Sequence, residues 1–438
     1  MNRPVLDIND KPTVTQAITL SFQHMFAMFG STILVPKLVG LSPAIALLTS
    51  GIATILFLLI TQFKVPAYLG SSFAFIAPIL IAAGGLDDNG MSVNPGNAMI
   101  GAMAVGVTYG IVSLVIWKTG YKWLMRLLPP IVVAPVIMVI GLGLAGTAVD
   151  MAMNVNGEYS FLHFSAALVT LFSAIIFTVY FKNILSAMPI LLGLIIGYVY
   201  SAIIGIVDFT QVTEAKMFAM PDFLFPGVDY DFNITSTILL AMVPVVLVTI
   251  SEHIGHQLVL GKVVNRNYIK DPGLHRSLIG DGLGTFVSAF LGGPPKTTYG
   301  ENIGVLAITR VYSVYVILGA AVIAIFFSFF GKAMALIQTI PTAVLGGISI
   351  LLFGIIASSG LRMLVENNID FGNNRNLVIA SVVLVLGIGG AAIRVSESFS
   401  IEGMALAAIV GVILNLVLPG RDKDSGLIDE ELEKNDVA

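Results

Sequence analysis

The chain has 438 residues, 56 % of them hydrophobic and 11 % charged, with a net charge of -4 and a mean hydropathy of +0.94. Soluble domains carry roughly 25 % charge, so lipid is the expected solvent, and so small a net charge speaks against a nucleic-acid partner. The chain has no cysteine, which excludes a disulfide framework and a thiolate metal site.

Apolar segments of membrane length recur at 14–30, 43–63, 97–117, 130–146, 162–181, 185–207, 236–258, 277–292, 311–330, 342–359, 377–393 and 401–418. The first runs on into membrane-like sequence and does not read as a separate cleavable signal. Two shorter segments, 73–85 and 300–309, follow Pro66 and Pro294-Pro295. That makes fourteen crossings, with the third and tenth too short to span alone. With a cytoplasmic N-terminus, seventeen Lys and Arg fall inside and five outside, the five being Lys37, Lys216, Lys296, Lys332 and Arg394. This distribution follows the positive-inside rule, and it places Asp87-Asp88 and the acidic 208–231 loop outside. The tail after Pro419 is charged and reads as a solvated, disordered end.

At an offset of 229 residues Gln23-His24 lies over Glu252-His253, Pro43 over Pro272, Gly51 over Gly280 and Pro66 over Pro295. At 211 residues Pro130 matches Pro341 and Gly143 matches Gly354. Seven crossings per copy is an odd number, so the copies insert upside down relative to each other. Inverted repeats with interrupted segments at matching positions point to a midplane site in a secondary transporter.

The stretch from Pro294 to Gly304, running on to Thr309-Arg310, carries Glu301, Asn302, hydroxyls and two glycines between apolar segments. Backbone leaves regular helix at membrane depth only where protein buries it or where it lines a wet cavity. A carboxylate there is a functional hypothesis by default. The two half-helices are expected to face each other head to head, with free N–H donors from Ser71, Ser72, Phe73 and Ala74 on one side and Gly300 and Glu301 on the other. Gly70 and Gly300 would let backbone approach a ligand. Phe73, Phe75 and Tyr299 would offer faces for stacking, and Glu252 and Glu301 would act as acceptors. A flat solute with alternating C=O and N–H groups suits this mixture; an inorganic anion does not. Glu252 and His256 are four residues apart and share a helix face, where a proton can be taken up and lost.

Plainer readings exist for each residue. Glu301 could cap a half-helix, and Glu252 could pair with a Lys or Arg. His24 and His253 read as packing and hydrogen-bonding residues, and Asn302 and Thr298 as holding the broken backbone. A metal site at Glu252, His253 and His256 is set aside because no other histidine is placed to complete it.

These motifs resemble the nucleobase–ascorbate transporter family (nucleobase:cation symporter-2), and its bacterial uracil permease branch in particular. The signature of an acidic or amide residue followed by Asn-x-Gly-x-x-x-x-Thr-Arg stands at Glu301-Asn302-Ile303-Gly304 through Thr309-Arg310. Gln23-His24, the run from Pro66 to Phe75, the run from Glu252 to His256 and the run from Thr297 to Gly304 complete the set. The resemblance implies an all-α integral membrane fold of fourteen segments in two inverted sevens, with short strands in segments 3 and 10 near Phe73–Phe75 and Tyr299–Glu301. It implies a core domain of 14–117 and 236–330 and a gate domain of 118–208 and 331–419. Around these lie a cytoplasmic N-terminus (1–13), an external loop (209–235) and a cytoplasmic tail (420–438).

The resemblance further implies uracil–proton symport at a bacterial inner membrane, in a homodimer joined through the gate domain, with no cofactor. Uracil would be held by Phe73, Glu252, Tyr299, Gly300 and Glu301. Proton coupling would fall to Glu252, His256 and Glu301, with Gln23, His24, Ser71, Ser72, Thr298 and Asn302 in support. Two departures stand out. Lys296 stands where close relatives often have an uncharged polar residue and is expected beside the site mouth, and Phe353 occupies a position that carries tyrosine in some relatives. The alternatives are a permease for another base such as xanthine, an anion exchanger of the same architecture and, last, an enzyme.

Overall fold

The computed structural model describes residues 4–87, 90–182, 185, 188–396 and 399–420. The charged tail from Arg421 onward, and Asp88, lie outside the described residues.

α1 (Val14–Leu38) opens on a reciprocal cap in which the Thr13 hydroxyl accepts from the Gln16 amide and the Gln16 side chain accepts from the Thr13 amide, satisfying two donors the helix start would otherwise orphan. α2 (Pro43–Ile60) starts on a proline, whose missing N–H costs nothing at that position. Segment 3 is then assembled from β1 (Leu69–Ser71), a 3-10 turn (Phe73–Phe75) and the short α3 (Ile76–Ala83), which stops at left-handed Gly84. α4 (Pro95–Thr119) follows, with α5 (Lys122–Leu127) between spans. α6 (Pro130–Gly143) continues into α7 (Ala145–Met153), and a hairpin of β2 (Asn154–Val155) and β3 (Glu158–Tyr159) leads to α8 (Phe161–Val179) and α9 (Pro189–Ile203).

The second copy begins after α10 (Thr210–Glu214), with α11 (Ser236–Met242) and α12 (Val245–Val264) broken at Pro244. α13 (Leu274–Phe290), β4 (Lys296–Thr298), α14 (Gly300–Thr309) and α15 (Val314–Ser328) come next. α16 (Gly331–Gln338) turns away from α15 by 84°. α17 (Thr342–Glu366), α18 (Asn374–Ile388), the hairpin of β5 (Ala392–Ser396) and β6 (Phe399–Glu402), and α19 (Gly403–Val417) close the chain. Together these are the fourteen segments in two inverted sevens that the composition and the repeat predict. Among the described residues seven helical stretches are long and apolar enough to cross a membrane alone. α3 and α14, of 8 and 10 residues, are about 12 and 15 Å long and cannot span.

Helices α1, α2, α4, α13 and α15 pack on one another, as do α6, α7, α8, α9 and α17, with α18 and α19 against α6. Small residues bring backbones together in both groups: a Cβ on Gly282 would meet Gly106 O at 3.0 Å, and one on Gly360 would meet Ala134 O at 2.6 Å. Close approach of this kind replaces the hydrophobic drive that lipid removes.

The two broken segments meet through their strands. β1 and β4 pair antiparallel, with Leu69 opposite Thr298, Gly70 opposite Thr297 and Ser71 opposite Lys296. Leu69 and Thr298 are also 229 residues apart, the offset of the repeat. The pseudo-twofold axis of the molecule therefore runs through that pair. The strands lie a few residues earlier than the family resemblance places them. Phe73–Phe75 already turn as helix and Gly300 and Glu301 already belong to α14, because pairing ends where Ser72 N–H reaches Pro295 O at 2.9 Å.

Candidate functional site

Three elements converge at the strand crossing: the 3-10 turn before α3, the head of α14, and the middle of α12, which packs on both and on β4. They surround a cavity of about 470 Å³, within the range of pockets that take small organic solutes. Phe73, Glu252, His256, Thr298, Tyr299, Gly300 and Glu301 line it; Gln23, His24, Ser71, Ser72 and Asn302 are buried and are not among its lining residues.

Glu252 and His256 sit one turn apart on α12, as their spacing requires. Glu252 Oε2 is buried and has no hydrogen-bond partner among the described residues. His256 Nδ1 lies 3.3 Å from Thr298 Oγ1, and a Cβ at position 300 would meet its Nε2 at 3.1 Å. Gly300 thus lets the imidazole close on the head of α14. Glu301, the second residue of α14, has Oε1 held by the Ser31 hydroxyl of α1, which donates at 2.9 Å. Phe73 presents its ring to the cavity and is braced edge-on by Phe353, with centroids 6.0 Å apart and planes at 80°.

Two expectations need correction. Strand pairing consumes the amide of Ser72, which donates to Pro295 O at 2.9 Å, so it is not among the free donors of the first half-helix; Phe73 and Ala74 stand at its head. Gly70 makes room for the Tyr299 ring and not for a ligand: an added Cβ would collide with that ring. The Tyr299 hydroxyl then donates to Ser71 O at 3.2 Å, which fixes one edge of the ring against β1.

The supporting residues form a second layer. His24 is fully buried with the Asn302 side chain as its polar neighbour, and Asn302 Nδ2 donates to Pro66 O at 3.0 Å. His253 is equally buried, with Nδ1 2.8 Å from Asp281 Oδ2 and Nε2 2.9 Å from Ser277 Oγ. Asp281 escaped the sequence reading, although a lone carboxylate inside the apolar 277–292 segment was signal enough. Gln257 and Thr297 escaped it too. Both line the cavity, and among the described residues neither the Gln257 amide atoms nor Thr297 Oγ1 has a partner.

Lys296 is neither in an outer loop nor at the site mouth. It belongs to β4, is 1 % exposed and does not line the cavity. The charged end of the cavity is formed by Lys262, Arg266, Arg362 and Glu366, with Arg362 Nε 2.6 Å from Glu366 Oε1 and Arg266 reaching Asp7 at 3.6 Å. Among the described residues no three His, Asp or Glu side chains converge as a metal site requires.

Buried polar atoms in native proteins are almost always paired. Here Glu252, Gln257 and Thr297 leave polar atoms unpaired around one cavity, beside the N–H groups of two helix heads and an aromatic face. Such a surface pairs with the polar rim of a small neutral ring, and it rejects ligands that leave those groups unmet.

Comparison with known proteins agrees with this picture. The Permease family model, Xan_ur_permease, matches residues 15–396. The chain is 64 % identical to the uracil permease of Bacillus caldolyticus over 100 % of both chains, and 57 % identical to that of Bacillus subtilis (strain 168) over 97 % of this chain and 98 % of the relative. It is 43 % identical to the uracil permease of Escherichia coli (strain K12), over 95 % and 94 %. Among solved structures, the transmembrane domain of the cyanobacterial bicarbonate transporter BicA aligns with a TM-score of 0.63 at 14 % identity, over 94 % of this chain and 100 % of that one. SLC26A9 aligns with a TM-score of 0.67 at 10 % identity, over 92 % and 65 %. At such identities these two share the fold alone. With the family model covering most of its length, this multi-pass membrane chain belongs to the permease family that its motifs resemble, the nucleobase–ascorbate transporters.

Proposed function

We propose that the chain imports uracil by proton symport across a bacterial inner membrane, with both termini in the cytoplasm. The observation that carries this reading is the pairing of Glu252 and Glu301 around one cavity, with Phe73 and the heads of two half-helices. Uracil offers two N–H donors and two C=O acceptors around a flat ring. Its N–H groups go to the carboxylates and its carbonyls to the amides at Phe73 and Gly300, with Phe73 and Tyr299 against the ring. The names of the relatives support the substrate.

Glu252 takes up the coupled proton, assisted by His256, and Glu301 completes the polar rim. Segments 1–4 and 8–11 form a core that carries the site. Segments 5–7 and 12–14 form a gate against which the core moves, and two chains associate through the gate. On this topology the end of the cavity at Lys262, Arg266 and Arg362 opens to the cytoplasm.

Radiolabelled uracil uptake into proteoliposomes, with and without an inward proton gradient, tests the reading. Uptake driven by the gradient, inhibited by 5-fluorouracil and not by xanthine, is expected. Gradient-independent uptake removes the symport, and equal inhibition by xanthine moves the substrate to another base. Chloride- or sulfate-dependent flux without base transport makes the chain an anion carrier.

A further inference from the structure

We propose that the ammonium of Lys296 is a tethered monovalent cation, occupying a cage that would otherwise hold a diffusible ion, and that it thereby restricts which ion the transporter can couple to. Lys296 is fully buried behind β4 and, among the described residues, has no carboxylate within ion-pair distance. Its Nζ lies 3.0 Å from Ala46 O, 2.9 Å from Ser50 Oγ and 3.5 Å from Ser71 Oγ. An ammonium has three donors and no acceptor, and here it meets three oxygens. The Ser71 hydroxyl directs its own proton toward Thr32 O at 3.4 Å, so its oxygen is left to accept.

Transporters hold monovalent ions with oxygens gathered beside an interrupted segment; here a carbonyl and a hydroxyl of the continuous α2 join the Ser71 hydroxyl of interrupted segment 3. Two of its oxygens come from α2 and one from β1, all in the first repeat, while the cation comes from the second. Thr285 anchors the lysine backbone on both sides, its Oγ1 accepting from Lys296 N–H at 3.0 Å and donating to Lys296 O at 3.1 Å. A buried, uncompensated charge is costly. Filling a cation position between the two broken segments gives that cost a purpose.

The consequence for coupling rests on the transport reading above; occupancy of the cage does not. Two substitutions separate the cases. Lys296→Ala removes the stem and opens the cage, whereas Lys296→Met keeps the stem and leaves no room for an ion. Uptake is measured in sodium, potassium and choline chloride at clamped pH, and melting of the detergent-solubilised protein is measured in the same salts and in ammonium chloride. The wild-type chain should be indifferent to the cation. Lys296→Ala should be weak in choline and recover about tenfold in sodium or potassium held ten times above its dissociation constant, with a matching rise in melting temperature that ammonium also gives. Lys296→Met should recover with none. Wild-type uptake or melting that rises with sodium over choline overturns the proposal, as does a Lys296→Ala protein that melts at one temperature in all four salts. Melting needs no nucleobase, so it reads the cage even if uracil is the wrong substrate. A Lys296→Ala chain too unstable to purify in choline is scored by its folded yield in sodium against choline, where equal yields also overturn it.

Discussion

The two repeats share a backbone plan and divide the chemistry unequally. Where the second copy has Glu252, His256, Asp281, Lys296 and Glu301, the positions 229 residues earlier hold Gln23, Ala27, Ile52, Ala67 and Ser72. Even the one shared polar residue ends in different company. His253 bonds Asp281 and Ser277 of its own repeat, while His24 faces Asn302 of the other. The first copy supplies shape, through Phe73, Gly70 and the carbonyl and hydroxyls around Lys296; the second supplies every carboxylate and the ammonium of the buried centre. Symmetry of fold survives because Gly and Pro positions enforce it. Symmetry of charge does not, because each further buried charge is costly.

This division can be broken by experiment. The largest effect is expected on the charged side: Glu301→Ala should lower uracil uptake by about a hundredfold or more, since a site built on buried polar pairs discriminates that strongly. Ser72→Ala, its repeat partner, should leave uptake within about twofold, because its buried hydroxyl has no hydrogen-bond partner among the described residues to lose. Equal losses would mean that the halves share the chemistry after all. Next comes the shape side. Gly70→Ala drives a methyl into the Tyr299 ring and should destabilise the protein by about 1–3 kcal/mol, read as a lower melting temperature in detergent. Gly354→Ala, which meets nothing within 4 Å, serves as the neutral control. A smaller change is expected from Phe73→Leu, which keeps bulk and loses the aromatic face. Its KM for uptake should rise by about two- to tenfold with little change in maximal rate. Last, the exposed pair of Lys64 and Asp271, 2.5 Å apart, joins the loops after segments 2 and 8. Lys64→Ala should cost less than about 1 kcal/mol; a larger loss would show that the repeats are also held together at the surface.

Much of the centre was legible because its signals are local. Pro66 and Pro295 mark where helix must stop, Gly300-Glu301-Asn302 marks where it restarts, and the four-residue spacing of Glu252 and His256 fixes a common face. What escaped depends on depth and on packing between helices. Lys296 counted as a loop cation because a charge tally along the chain cannot see that β4 carries it into the bundle. Asp281 and His253 are 28 residues apart, and only the packing of α12 on α13 makes them partners. Gly70 and Tyr299 read as two separate ligand contacts, yet Gly70 makes room for the Tyr299 ring. The helices α5 and α16 and the hairpin of β5 and β6 were missed for a simpler reason: they are too short to resemble a span.

The pair of Leu69 and Thr298 has a bearing on how the two halves can insert. In a symmetric assembly the residue on a twofold axis meets its own equivalent. An antiparallel pair centred on such an axis requires the two segments to enter the bundle from opposite sides, so the strand register at Leu69 and Thr298 and the upside-down relation of the halves are one constraint seen twice.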